Sequence, residues 1–306
     1  MKVQKLLRFV ICFLLLLPAV LSAEKEPKVL LITSDATVVK YSAIREEFKK
    51  AFSRPVLEVN LNEKQWGINA VEEFLYDEKP DLIYCIGSKA YLTANKFIAD
   101  KPVVFSSVIN WQRLPITKKT YGVSNELPSG MQITLFRYIF PKVIRIGIVY
   151  SEQYNSQWFD KTKEEARKMG VEIIGQTITK NTQFPVSVKA LLPKIDALWL
   201  ISDPVIISDK KNLTDVFREC NQRKVPVFTY HDIFAEYGAT LIVSVDDGTI
   251  GRQSAGLSND VLSGVKMEEK IQYPAGSHII LNLKKVKEFD LPYNEQALGI
   301  VNQIIR

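Results

Sequence analysis

The sequence predicts an α/β protein made of two doubly wound, parallel-sheet, Rossmann-like lobes. Three observations carry this expectation. Short, continuously apolar, β-rich runs alternate with amphipathic helical segments; the alternation occupies most of the 306 residues; and it restarts after Pro141. The right-handed crossover rule makes each series a sheet with helices on both faces.

The first series opens with the strand Val29 to Thr33, followed by a helix over Tyr41 to Phe52 whose apolar positions Ile44, Phe48 and Phe52 recur every four residues. A strand over 57–60 precedes a helix over 66–76, a strand over 81–86 precedes a helix over 90–98, and Val103-Val104-Phe105 closes the series. The second series runs as strand 145–150, helix 156–169, strand 171–174, helix 186–192, strand 197–201, helix 210–223 and strand 227–230. The likeness between the two halves is one of architecture, with no residue-level repeat.

Ahead of both series, Lys2, Lys5 and Arg8 precede an unbroken apolar run from Phe9 to Leu17, and Pro18 and Leu21-Ser22-Ala23 follow. A run of about nine residues suits a signal peptide and falls well short of the roughly 20 that span a bilayer. Residues 1–23 are therefore expected to be a leader cleaved after Ala23, which places the working protein in the periplasm or outside the cell; a retained anchor is the alternative. Cys12 lies inside the apolar run, which argues against a lipidated mature end.

Removing the leader takes three of the 40 basic residues and none of the 34 acidic ones. With a small remaining excess and no block of like charge, nothing argues for a nucleic-acid or polybasic membrane surface, and no nucleic-acid partner is expected. Cys85 and Cys220 remain, one in a strand and one on a helix of different lobes. Two buried thiols are expected of them rather than a disulfide.

Ligands of doubly wound sheets bind beyond the carboxyl ends of the strands. Those ends carry Ser34 and Asp35, Ser88, Ser106 and Ser107, Tyr150 and Ser151, Ser202 and Asp203, and Tyr230, His231 and Asp232. Hydroxyls that donate and accept, next to helix N-termini with free N–H groups, suit a compact polar ligand. At any single position, Ser or Asp equally serves as the cap of the following helix.

These residues are embedded in a series of segments that resembles a known family. Ile86-Gly87-Ser88-Lys89-Ala90, Pro102 to Ser106, Tyr121-Gly122-Val123-Ser124, Pro141 to Tyr150, Asn155-Ser156, Ser202-Asp203-Pro204, Gly251-Arg252-Gln253 and Leu281 to Lys285 follow one another in an order and spacing similar to ABC-transporter substrate-binding proteins of the type I periplasmic-binding-protein fold. The subgroup is the one with tryptophan- and phenylalanine-binding members. Two departures fall in the expected cleft: Gly87-Ser88-Lys89 stands where relatives show Gly-Thr-Pro, and Val108-Ile109-Asn110-Trp111 where they show Thr-Asp-Pro.

The resemblance implies three crossings between lobes, near residues 120–142, at Asp246-Asp247 and after Gly264. The N-terminal lobe is then 27–120 plus about 248–264, and the C-terminal lobe about 142–246 plus about 274–306. It further implies a monomer that closes on its ligand and docks on a membrane permease, with no cofactor. Presentation of the ligand to a sensor kinase or receptor is the alternative role.

Enzyme signatures are lacking: there is no His-Glu-x-x-His helix, Gly-x-Ser-x-Gly elbow, Cys-x-x-Cys pair or Walker loop. His231 is expected to line a ligand or make an ordinary hydrogen bond rather than act as a general base. Asp246-Asp247 are expected to be one cleft residue and one helix cap, because neighbours on an extended segment point to opposite sides. No metal site is expected.

An amino acid or similar small zwitterion, including an aromatic one, is the first ligand expectation. Its carboxylate would meet Ser88 and the following helix N-terminus with Ser107 assisting, and Asp203 or Asp246 would neutralise its ammonium. Asn110, Ser156 and a ring sandwich from Trp111, Tyr150 and Tyr230 complete the expected site, the rings being equally explicable as packing. A nucleoside or sugar is the rival.

Overall fold

A computed structural model describes residues 26–97, 100–108 and 110–306. The expected leader and its cleavage site lie outside the described residues. Among those described, the strands form two sheets, one six-stranded and one seven-stranded.

The first sheet has the order β11-β5-β4-β3-β1-β2. Its centre is β1 (Val29–Thr33), β3 (Leu82–Ile86) and β4 (Val103–Ser106), every residue of which is buried, as continuously apolar strands covered on both faces require. Edge strand β2 (Val56–Asn60) is only half-buried, while β5 (Thr120–Val123) and the short β11 (Ile271–Gln272) extend the other side. All pairings in this sheet are parallel.

Helix α1 (Val39–Ala51) buries Ile44 and Phe48 on one face of that sheet, while α2 (Ile68–Glu78) and α3 (Ser88–Phe97) bury Val71, Leu75, Ala90 and Tyr91 on the other. Between β3 and α3 the chain turns at Gly87 with φ +89°, where an added Cβ would lie 2.5 Å from the Ser34 hydroxyl oxygen. Only glycine supplies both the left-handed backbone and the space.

The second sheet has the order β13-β12-β10-β9-β8-β6-β7. Its strands are β6 (Arg145–Ser151), β7 (Glu172–Ile178), β8 (Ala197–Trp199), β9 (Val227–Thr229), β10 (Leu241–Val245), β12 (Ser277–Asn282) and β13 (Gln303–Ile305). β10 and β12 pair antiparallel; the other neighbours are parallel. One face carries α4 (Ser129–Ile139), α5 (Glu152–Lys168) and α9 (Leu283–Glu288) through Phe136, Phe159 and Val286; the other carries α6 (Phe184–Leu191) and α7 (Lys210–Gln222) through Val188 and Phe217.

The chain passes between the sheets after β5, after β10 and after β11. Helix α8 (Asp247–Leu262) returns to the first sheet, burying Ile250, Ala255 and Leu257 beside α1. The two helices approach so closely at Gly251 that a Cβ there would lie 2.5 Å from the Ile44 carbonyl oxygen.

Two features differ from the sequence expectation. Residues 129–139 form a helix whose Ile133, Phe136 and Ile139 belong to the second core, so that core begins well before 142. Helix α5 starts at Glu152, directly after β6, four residues earlier than expected. Cys85 and Cys220 are free, buried in different cores, and burial raises both thiol pKa values, that of Cys220 to about 12.

Candidate functional site

Between the two sheets lies a cleft of about 640 Å³. Asn110, Gln112 and Arg113 reach it from the loop after β4, Asn125 and Glu126 from the first crossing, and Gln132 from α4. The second lobe contributes the first two turns of α5, from Glu152 to Trp158, together with Trp199, Ser202 and Tyr230 at the strand ends.

Aromatic rings line the cleft, backed by the buried Trp199. Trp158 meets Trp199 edge-on at 5.4 Å, and Tyr230 and Tyr273 face the same space. Burial pushes the Tyr230 phenol up to about 12 against a hydrogen bond with Ser202, so it remains a protonated donor.

The polar groups have opposite signs. Glu126 is half-buried, and desolvation raises its pKa against the opposing effects of the Asn110 backbone N–H, the Gln112 side chain and the nearby Arg113 guanidinium. Arg113 in turn spans the mouth of the cleft: its Nη2 donates to the Tyr154 carbonyl at 2.6 Å, and its guanidinium lies 3.9 Å from the centre of the Tyr154 ring. A side chain that follows the first sheet thus grips the first turn of a second-lobe helix.

That helix presents its first two turns to the cleft. The hydroxyl of its N-cap residue, Ser151, is turned away and donates to Asp203 at 2.6 Å, so no side chain of the cap bonds the first turn of α5.

Among the residues singled out from the sequence, Asn110, Ser156, Ser202 and Tyr230 line this cleft. Ser156 donates to the Glu152 carbonyl at 2.6 Å. Trp111 faces a neighbouring hollow of about 320 Å³ and packs on the first core, and Tyr150 stacks on Phe159 at 4.2 Å. Ser88 begins α3.

Several expected ligand contacts make capping or bracing bonds within the protein. Ser34 accepts from the Ala90 N–H at the start of α3, and Asp35 accepts from Thr37. Ser106 bonds Tyr84 in the core, while the Ser107 hydroxyl is buried with no hydrogen-bond partner among the described residues. His231 accepts at Nδ1 from the Ile233 N–H, and Asp246 caps α8 through the Thr249 N–H at 2.6 Å.

Asp203 corrects the sequence reading most sharply. It is fully buried, with Oδ2 accepting from the Ser151 N–H, the Ser151 hydroxyl and the Asn155 amide, and Oδ1 accepting from the Val205 and Ile206 N–H groups. Five donors leave this carboxylate no face for a ligand ammonium. It fixes the start of α5 against the end of β8.

Sequence reasoning passed over Arg113, Glu126, Gln132, Trp158 and Trp199. Glu126 and Gln132 sit in a stretch read only as a connection, yet a crossing in a two-lobed fold borders the cleft, and a lone carboxylate there was the available signal. Among the described residues no group of three or more His, Cys, Asp or Glu side chains is placed to hold a metal ion, and no helix is long and apolar enough to cross a membrane.

Two doubly wound sheets, three crossings and a cleft between them define a two-lobed binding protein of the type I periplasmic-binding-protein fold. The profile of the ABC transporter substrate binding protein family matches residues 55–305, and the chain belongs to that family. Its members bind substrates and are not enzymes.

A tyrosine-binding protein of Clostridioides difficile (strain R20291) is 24% identical over 229 residues, which is 72% of this chain and 65% of that protein. An uncharacterized protein of Rickettsia prowazekii (strain Madrid E) is 23% identical over 198 residues, 64% of this chain and 62% of that one. The matches thus span just under two thirds of the length of these curated relatives.

Among solved structures, the ligand-free, open form of a substrate-binding protein with adhesive properties from Clostridium difficile has a TM-score of 0.71 at 17% identity, covering 90% of this chain and 98% of that one. An ABC domain from Streptococcus pneumonia in complex with L-Trp has a TM-score of 0.62 at 18% identity, covering 91% and 100%. These likenesses show the fold.

Proposed function

We propose that the chain is an exported solute-binding protein that captures an amino acid with an aromatic side chain and delivers it to the permease of an ABC transporter. The observation that carries this reading is the composition of the cleft, which is lined by the oppositely charged Glu126 and Arg113 together with the rings of Trp158 and Tyr230. A zwitterion needs one charge of each sign close together, and an aromatic side chain needs flat apolar surface beside them. The α5 N-terminus adds N–H donors for a carboxylate. The tyrosine-binding relative and the L-Trp complex support the same ligand class.

No bond in the ligand is made or broken. Contacts to both lobes are stronger when the cleft is closed, so the ligand shifts the population toward the closed shape. Residues 27–120 with 248–264 move against the second lobe in this reading, and the leader directs export.

A thermal-shift screen of the purified mature chain against amino acids, nucleosides and sugars tests the assignment. At a hundredfold excess over Kd an aromatic amino acid adds about 2.7 kcal/mol, a rise of roughly 5 to 10 °C for a chain of this size. Stabilisation by nucleosides or sugars alone would replace the amino acid with a neutral ligand.

A further inference from the structure

Gln132, which lines the cleft, carries a buried acceptor that no described residue satisfies. Gln132 is 7% exposed; its Nε2 donates to the Leu127 carbonyl at 3.1 Å, and its Oε1 is without a hydrogen-bond partner among the described residues. The orientation of the amide follows from chemistry, because a carbonyl only accepts and therefore fixes the NH2 end, leaving the oxygen free. An unpaired buried acceptor costs about 1 to 3 kcal/mol, so a group that fills it binds with that advantage.

Glu126 lines the same cleft, where the Asn110 backbone, the Gln112 side chain and Arg113 oppose the rise in pKa that its burial causes. An ionised carboxylate has about four lone-pair directions, so acceptor capacity remains. Both Glu126 and Gln132 line the cleft, and the segment 126–132 contains no lysine or histidine, which makes this corner of it acceptor-rich. The one cation beside Glu126, Arg113, is held toward Tyr154 at 2.6 Å. A donor-rich cation of small radius is the chemistry this corner lacks.

Resting on the amino-acid reading above, we propose that Glu126 and Gln132 form the ammonium subsite: one N–H of the ligand's primary ammonium donates to the Glu126 carboxylate and another to Gln132 Oε1. Arg113 and the first turn of α5 then face the ligand carboxylate. The subsite selects primary α-amino acids over the same side chain carried on a des-amino acid, and Asp203 and Asp246 take no part in it.

Isothermal titration with four probes decides the matter: L-tyrosine, L-tryptophan and their des-amino counterparts, 3-(4-hydroxyphenyl)propionate and 3-(indol-3-yl)propionate. The wild-type protein should bind at least one amino acid about 10- to 100-fold more tightly than its des-amino counterpart. In Glu126→Gln that preference should collapse to a few-fold, with the des-amino acid bound as well as before. Gln132→Leu should lose part of the same preference, which keeps the test open should Glu126→Gln fold poorly.

If the wild type prefers the amino acid and both variants retain the full preference, the ammonium is held elsewhere; the subsite is overturned and the function stands. If the wild type binds none of the four probes while the screen finds only a nucleoside or a sugar, the amino-acid reading itself falls and takes the subsite with it. A uniform loss of all four probes in both variants would also overturn the subsite, since it would mark Glu126 and Gln132 as structural supports.

Discussion

Replacing Asp203 with asparagine separates a brace from a ligand contact. The carboxylate accepts from three donors on its Oδ2 side and two on its Oδ1 side, all within 3.3 Å. An asparagine keeps the shape but offers one oxygen and one NH2. Turned with its oxygen toward Ser151 and Asn155, it presses NH2 against the Val205 and Ile206 N–H groups; turned the other way, it strands the donors of Ser151 and Asn155. The better choice still leaves two buried N–H groups unpaired at about 1 to 3 kcal/mol each, and it loses the charge that strengthens the remaining bonds.

A destabilisation of about 2 to 5 kcal/mol is therefore expected of Asp203→Asn, read as a lower urea midpoint with an unchanged slope. The signal should be followed through the second-lobe pair Trp158–Trp199, whose edge-on contact depends on the α5 position that Asp203 holds. Unchanged stability together with a large loss of ligand affinity would refute this account and return Asp203 to the ligand.

Arg113→Ala removes the hydrogen bond and the ring contact to Tyr154. Because it also removes the positive partner proposed for the ligand carboxylate, the expected cost is about 1.5 to 3 kcal/mol of ligand affinity, roughly 10- to 150-fold, read by isothermal titration. Affinity for an amino acid should fall as pH drops through the raised pKa of Glu126, which lies above its ordinary 4.5, because protonation removes the partner of the ammonium. The same raised pKa acts oppositely on unliganded stability: its contribution is fully present below 4.5 and disappears as pH rises through the folded-state value. Arg113 lies beside it, Asn110 and Gln112 do not titrate, and Glu152 and Lys161 line the same cleft; titrations of Glu126→Gln, in which the dependence should vanish, isolate the group. Gly251→Ala should lower the urea midpoint by the equivalent of about 1 to 3 kcal/mol, since its Cβ would meet the Ile44 carbonyl oxygen at 2.5 Å and the Phe48 nitrogen at 3.0 Å.

The sheets were legible because buried parallel strands announce themselves by continuous apolar runs, and β1, β3 and β4 do so with every residue buried. Helix α4 was not legible. Its stretch Ser129-Gly130-Met131-Gln132-Ile133-Thr134 opens with a glycine and carries β-branched residues of modest helix propensity, so what holds it helical is the burial of Ile133, Phe136 and Ile139. The site was less legible than the fold. A carboxylate at a strand end reads the same whether it faces a ligand or its own lobe, and Asp203 was decided by Ser151 and Asn155, 52 and 48 residues earlier in the chain. Glu126 and Arg113 belong to no motif and acquire meaning only when the crossing folds beside the loop after β4.

That crossing joins hinge and site in one piece of chain. Lys40 on α1 donates to Asn125 at 2.6 Å and pairs with Asp247 at 3.3 Å, tying a first-lobe helix to two of the three crossings at once. Asn125 is the neighbour of Glu126, and Glu126 leads directly into α4 of the second core. A rotation of the lobes therefore cannot leave Glu126 where it was: its position relative to Arg113 and to the α5 N-terminus changes with the closing angle. In the proposed reading, a ligand that contacts Glu126, Arg113 and α5 together discriminates between closing angles, and differential contact of this kind is what a closure equilibrium requires. The Arg113–Tyr154 contact forms across the same gap, so the protein's own clasp and the ligand favour the same state.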